Sequence, residues 1–443
     1  MSARLAELRA CFEGVIPSII ATAAPDGTPN VSYLSQVVMV DDQHVGLSNQ
    51  FFSKTASNIC ANPQAALLLV DASDGAQFRL DLAFVEALAA GEVFEQVKSQ
   101  LKAIGMQVGM AGIFSLRGVD VYRVVAVDEV PCPVPTTPLA ATRTEGLAQA
   151  AEAVKAVSEQ PDVDGIVDTV LDQLRDRFGY DSTMLLLNDP SRNVLITLGS
   201  RGYPQSGVGS EVPLGEGIIG AAASDRRLIK VSDMSRVRRF GEAIRNSSSD
   251  ENRTRTIALP GIAGPMSQIA VPMIARGTVH GVLFAESTRR LAFTTEDESA
   301  LSVVASHAAA AMLIAESIAG EPHAPGEAAA MPPATAPPFR VTHHAYDDSV
   351  FVDNEYVIKG VPGRLLMFML EVHSREGRRE FTNREMRLAS AIRLPDIKDN
   401  LESRLLLLRR RLEDKAFPLR LSRTGRGRCS LELSGTPILD RAG

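Results

Sequence analysis

Residues 267–287, SQIAVPMIARGTVHGVLFAES, hold two apolar β runs joined across Arg276-Gly277, the pattern of an antiparallel pair. Just downstream, Thr295-x-x-Glu298 reads as a capping box opening the helix DESALSVVASHAAAAMLIAE, with Leu301, Val304, Ala308 and Met312 on one stripe. Upstream lie the strand-like runs TMLLLN, VLITLG and LIKVSD and a glycine-rich VPLGEGIIGAA. Residues 147–178 precede them with helical periodicity, placing Ile166, Val167, Val170, Leu171 and Leu174 on a buried face. Helices bracketing an antiparallel sheet make this central stretch an α/β unit.

Two breaks bound it. Residues 319–338, AGEPHAPGEAAAMPPATAPP, contain six prolines and seven alanines without helical or strand periodicity, and read as a linker. PCPVPTTP at 131–138 stops any helix or central strand. The 443 residues thus divide into units at about 1–135, 140–318 and 339–443, unrelated by internal repeat. The fold class is multidomain α+β. Apolar runs fall short of a bilayer span and no secretory signal is recognisable, so a cytoplasmic protein without a membrane partner is expected. Cys11, Cys60, Cys132 and Cys429 lie far apart with no C-x-x-C pair, which argues against a metal site or a disulfide set.

The first unit reads as short β runs punctuated by Pro25-Asp26-Gly27 and Asp41-Asp42 turns. In LSNQFFSKTASNICANP a strand ends near Ser48, Ser53 opens a short helix and Asn62-Pro63 closes it. Its first turn, with Ser53, Lys54 and Thr55, offers donors suited to a phosphate, or is simply a capped surface helix. His44 sits beside a hairpin turn and reads as solvated, and no paired carboxylates, Cys/His couple or Gly-x-Ser-x-Gly elbow appears, so no catalytic residue is assigned. In the third unit, SVFVDNEYVIKG reads as a hairpin, GRLLMFMLEVHS as a helix and Thr382-x-x-Glu385 as a capping box. A helix over 396–413 puts Leu401, Leu405, Leu408 and Leu412 on its packing side and Lys398, Asn400, Arg404 and Arg411 on other, polar faces. FPLRLSRTGRGRCSLEL then gives two β runs around a basic turn.

Charge is unevenly distributed. The chain carries net −7, yet residues 339–443 hold 20 Lys and Arg against 15 Asp and Glu, a basic tail on an acidic body.

On GTPNVSYL, SNQFFSKTASNICANPQAALLL and AQFRLDLAFVEALAAGEVFEQV, residues 8–128 resemble the pyridoxamine 5'-phosphate oxidase-like, FMN-binding split barrels. The resemblance implies Ser53, Lys54 and Thr55 at the flavin phosphate, the strand Gln36, Val37, Val38 and Met39 at the isoalloxazine edge, and Gln77 approaching the ring. Many such oxidases present Arg-Lys where this chain has Lys54-Thr55, one cation fewer. FMN is the implied cofactor, with haem or another flavin as alternatives. Gly215-Glu216-Gly217-Ile218-Ile219-Gly220, Val271-Pro272-Met273 and Gly281-Val282-Leu283 make 150–316 resemble a GAF domain. That resemblance implies a small-molecule effector bound under loops. The loop 235–256, with six arginines, is either an anion site or merely solvated. The helices at 147–160 and 295–316 suggest a homodimer, or pack within one chain.

LLLLRRRLED and LRLSRTGRGRCSLEL resemble the recognition helix and wing of the winged-helix output domain of response regulators. By that resemblance Lys398, Asn400 and Arg404 would face the major groove of double-stranded DNA, and Arg409, Arg410, Arg423, Arg426 and Arg428 would meet phosphate or minor groove. The expected function is a one-component transcriptional regulator; the alternative is an FMN-dependent oxidoreductase with accessory domains.

Overall fold

The computed structural model describes residues 5–49, 53–107, 116–131, 146–235, 257–318, 337–394, 400–415 and 417–442. After a 3-10 helix at Leu5–Phe12, the first unit runs β1 (Ile19–Ala23), β2 (Pro29–Tyr33), β3 (Val37–Met39), β4 (His44–Asn49), α1 (Ser53–Ala61), β5 (Gln64–Val70), β6 (Gln77–Leu88), α2 (Glu92–Gln107) and β7 (Gly118–Val130). Its strands pair antiparallel in the order β2-β1-β5-β6-β7-β4-β3. Register shifts near Leu82 and Glu86 bend the long β6–β7 ribbon and coil the sheet into a split-barrel-like shape. Ile20, Val45, Leu47, Leu67, Leu69, Leu80 and Tyr122 fill it.

The second unit runs α3 (Gly146–Ser158), α4 (Val163–Asp176), β8 (Ser182–Asp189), β9 (Val194–Arg201), β10 (Glu211–Pro213), α5 (Gly217–Asp225), β11 (Ile229–Val231), β12 (Ser267–Ala275), β13 (Thr278–Ser287) and α6 (Thr295–Ile318). The sheet order is β10-β9-β8-β13-β12-β11. Leu283 and Ala285 point into the core shared with α3, α4 and α6, while Val282 and Phe284 meet α5 on the other face, as strand alternation requires. A Cβ on Gly220 would lie 2.2 Å from the Pro213 carbonyl oxygen, so the glycine-rich turn needs glycine there for close packing.

The cap of α6 falls one residue earlier than expected. Thr294 Oγ1 accepts from the Asp297 N–H at 3.2 Å, and Asp297 Oδ2 accepts from the Thr294 N–H at 2.8 Å. Glu298 instead reaches Lys230 at 2.5 Å. By length and composition α6 is apolar enough to cross a membrane. Ala300, Leu301, Val304, Ala305, Ala308 and Met312 are nevertheless buried in the core of this unit, the pattern of a core helix.

The third unit runs β14 (Phe339–His344), β15 (Ser349–Val352), β16 (Glu355–Ile358), α7 (Val361–Glu376), β17 (Glu380–Thr382), α8 (Asn383–Leu388), α9 (Leu401–Glu413), β18 (Leu419–Gly425), β19 (Arg428–Leu433) and β20 (Pro437–Ala442). Its strands form a four-stranded sheet, β16-β15-β14-β20, with β14 and β20 parallel, and a three-stranded sheet, β17-β19-β18. Asp353 and Asn354, both at positive φ, make the tight β15–β16 turn. The Thr382 cap holds, its Oγ1 accepting from the Glu385 N–H at 3.3 Å.

Expectation fails on α9. Leu401, Leu405, Leu408 and Leu412 pack inward as their spacing requires, but Leu406, Leu407, Arg404 and Arg411 are buried as well. The helix is covered on both sides because α4 and β9 of the second unit lie against it, and the cores of the two units are continuous.

The first and second units are tied by a buried ionic cluster. Lys230 Nζ lies 2.7 Å from Glu13 and 2.5 Å from Glu298, and Ser232 Oγ donates to Glu13 at 2.6 Å. Burial alone would lower the Lys230 pKa; the two carboxylates outweigh it and hold the ammonium above its ordinary value. Removing the cation strands two carboxylates, at a cost of about 3–5 kcal/mol. Lys230→Met should therefore lower the urea midpoint of the full chain by that equivalent, and an unchanged midpoint would refute the tie.

Candidate functional site

The first turn of α1 was the expected phosphate site. Lys54 is exposed there, but Thr55 turns inward and is buried. Thr55 Oγ1 accepts from Asn30 Nδ2 at 3.0 Å and lies 3.2 Å from Ser32 Oγ, while Thr22 Oγ1 accepts from Asn58 Nδ2 at 3.1 Å. This network fastens α1 to β1 and β2, so the Thr55 hydroxyl is engaged in holding the helix. Asn30, Ser32, Thr22 and Asn58 were missed in the sequence. Their signal was the polar alternation of Asn30 and Ser32 along β2, whose outward residues Val31 and Tyr33 are instead apolar and exposed. The side chain of Ser53 lies outside the described set.

The expected ring-side residues are not gathered around α1. Val37 and Val38 are buried in two separate cores and Met39 packs partly against the first. Gln36 is buried too, its amide donating to Gln100 Oε1 at 3.2 Å. Gln77 pairs with Val70, which puts it roughly 20 Å of strand away from Gln64 at the α1 end of β5. Within one chain, the exposed Lys54 stands at the α1 N-terminus, where a flavin phosphate would be held; Gln36 is bonded to Ser48 of the strand leading into α1, and Gln77 lies at the far end of β5. His44 lies 2.9 Å from Asp41 at the surface, and no metal-binding cluster occurs among the described residues. Burial pushes the Cys11 and Cys429 thiols up to about 12, which makes them unreactive.

In the second unit, Glu286 shares the α5-side face of β13 with Val282 and Phe284. Buried, it accepts from the Ile262 N–H and from Gln268 Nε2, each at 2.9 Å. Burial, and then the Glu286 charge, push the Tyr203 phenol well up. These polar groups over an apolar sheet face were not singled out from the sequence, because Glu286 lies within a near-continuous apolar strand. The arginine-rich stretch 236–256 lies outside the described residues.

The third site is the basic side of α9, and here the DNA-facing expectation meets a different geometry. Arg404 lies 3.6 Å from Asp189, with both side chains buried. Arg409 and Arg410 share Asp164, the latter at 2.7 Å, and Arg410 also lies 3.0 Å from Asp168 and donates to the Leu198 carbonyl. Arg423, on the hairpin, pairs with Asp162. A Cβ on Gly199 would come within 2.6 Å of Arg410 Nη1, so β9 leaves room for the guanidinium. Arg411 serves its own unit, donating to the Val357 and Tyr356 carbonyls. Arg426 is exposed and Arg428 half-buried; Asn400 flanks α9 without capping it, and Lys398 lies outside the described residues.

The missing cap comes from another unit. Glu316, near the end of α6, accepts from the Glu402 N–H at 2.9 Å and from the Ser403 N–H and hydroxyl at 2.7 Å. Burial pushes its carboxyl up to about 7, against the opposing pull of these donors. Burial would also raise Asp164, but Arg410 and Arg409 outweigh it and hold that carboxyl below its ordinary range.

These features coincide with two family models: pyridoxamine 5'-phosphate oxidase over residues 5–125 and the GAF domain over 160–313. The chain thus carries a pyridoxamine 5'-phosphate oxidase-like domain followed by a GAF domain. Uncharacterized protein MJ0282 of Methanocaldococcus jannaschii is 30% identical over 121 residues, covering 25% of this chain and 80% of its own length. Over that stretch the chain belongs to the same family as the archaeal protein. Among solved structures, the GAF domain of Acinetobacter phosphoenolpyruvate-protein phosphotransferase is similar at 21% identity and TM-score 0.33, over 40% of this chain and 98% of that one. An FMN-binding protein from Syntrophomonas wolfei is similar at 16% and 0.25, over 29% and 87%. Free methionine-R-sulfoxide reductase from Neisseria meningitidis gives 19% and 0.31, over 41% and 96%.

Glu316 supplies a pH test. Its pKa is raised when the units are docked, so the docked protein binds the extra proton between about 4.5 and 7. Stability from this group is greatest at the acid end of that window and declines as pH rises through 7. Thermal melts between pH 5.5 and 8.5 should show that decline, and Glu316→Gln should flatten it; an equal slope in both proteins would contradict the assignment.

Proposed function

We propose that the protein is a one-component transcriptional regulator, with its barrel and GAF domains as the sensing part and residues 337–442 as a winged-helix output for double-stranded DNA. The observation carrying this reading is the order of the third unit: a strand, the capped helix α8, the arginine-bearing helix α9 and a hairpin tipped by Arg426. Helix-turn-helix modules dock such a second helix in the major groove and lay the hairpin on the backbone. The exposed Arg384, Arg393, Arg420 and Arg426 supply phosphate contacts in this reading. Arg426→Ala should weaken binding of the full chain to duplexes of every sequence and reduce its salt slope by about 1, measured by fluorescence anisotropy between 50 and 200 mM salt. Loss confined to one sequence would contradict the wing role.

The barrel in this reading holds FMN, with Lys54 and the α1 N-terminus at its phosphate, and the face around Glu286 takes a small-molecule effector. Exposed Val31 and Tyr33 on the edge strand β2 support pairing with a second copy, which would complete the ring end. Lys54→Ala should lower FMN affinity about tenfold, the value of one charge-assisted hydrogen bond of roughly 1.4 kcal/mol, read by flavin fluorescence on titration; unchanged affinity would move the phosphate elsewhere. The pyridoxamine 5'-phosphate oxidase match keeps a second reading, an FMN-dependent oxidoreductase, which turnover with a reductant would favour.

A further inference from the structure

Resting on the DNA-binding reading, we infer that the docked arrangement is an autoinhibited state, in which carboxylates of the GAF domain occupy the arginines of α9 and the hairpin that would otherwise meet DNA phosphates. Carboxylate and phosphate present the same planar or near-planar pairs of anionic oxygens to a guanidinium, so one can substitute for the other. Four of the arginines assigned to DNA, Arg404, Arg409, Arg410 and Arg423, are engaged by Asp189, Asp164, Asp168 and Asp162. These carboxylates come from the start of α4, its second turn and the end of β8, and Glu316 adds the cap from α6.

Geometry makes the two partners exclusive. A helix with its side chains is about 10–12 Å across and the major groove about 12 Å wide, so α9 cannot enter the groove while α4 lies against it. The apolar cores of the two units are continuous, but beside the ion pairs a cleft lined by Val163, Asp164, Leu406, Arg409, Arg423 and Arg428 opens between α4 and the third unit. Twenty residues of chain, 319–338, connect the units, a length that can span up to about 70 Å when extended. An effector that favours the undocked state shifts the population by its difference in affinity for the two states.

The test uses the full-length chain and a fluorescent random-sequence 30-base-pair duplex at fixed salt. Asp164→Asn removes the shared partner of Arg409 and Arg410, and Asp168→Asn is a second, milder variant; Asp176→Asn, an exposed residue of the same helix paired with Arg175, controls for bulk charge. Both test variants should bind at least tenfold more tightly than the unaltered chain, with a steeper salt slope, and the control should not. Hydrogen exchange of the α9 amides reports docking independently and should rise in the test variants alone. Equal DNA affinity in the unaltered chain and both test variants, with exchange raised, overturns the autoinhibition and leaves DNA binding standing. Raised exchange with no DNA bound by any protein overturns the DNA reading and the inference with it. Exchange unaltered in both variants shows the clamp does not hold α9 and overturns the inference alone.

Discussion

The pairing of Arg409 and Arg410 with the single carboxylate of Asp164 is where the second and third units meet, and much else is arranged around it. Two guanidiniums on one carboxylate leave excess positive charge, which Asp168 and the Leu198 carbonyl absorb; Asp168 in turn also binds Arg201. Burying such a network gains little net free energy, because the desolvation of each ion offsets most of the attraction. In this placement of α9 every member of the network has a partner. The nonpolar part of the attachment comes from Leu406 and Leu407, which would otherwise leave an apolar stripe in water.

Helix α6 joins the two ends of this arrangement. Glu298 in its first turn meets Lys230, itself paired with Glu13 of the first unit, and Glu316 in its last turn caps α9. Those two glutamates are roughly 27 Å apart along one helix packed on the GAF sheet. A change at the barrel interface and a change at the α9 cap therefore act on the same rigid element. The docking of α9 is the two-state step that such a change can bias.

The barrel offers a contrast. Its polar network at Thr55, Asn30, Ser32, Thr22 and Asn58 is local and holds α1 on the sheet, whereas Gln77 and the buried Val37 and Val38 lie elsewhere. Sequence order alone suggested one cofactor cradle; the strand register distributes those residues over opposite ends of one sheet. Lys54 is the member of the set that keeps an exposed charge at the helix start.

Local pattern fixed what depends on neighbours in sequence. The β runs, the leucine side of α9 and the Thr382 cap follow from side-chain periodicity and backbone stereochemistry, which act over a few residues. The sequence also announced the basic character of α9 and the hairpin. It did not tell which surface those arginines face, because Asp162, Asp164, Asp168 and Asp189 lie between 215 and 261 positions away and carry no mark separating them from ordinary solvated acids. Coulombic partners are chosen by proximity after folding, so only the tertiary structure decides whether a guanidinium meets water, a phosphate or a carboxylate of its own chain.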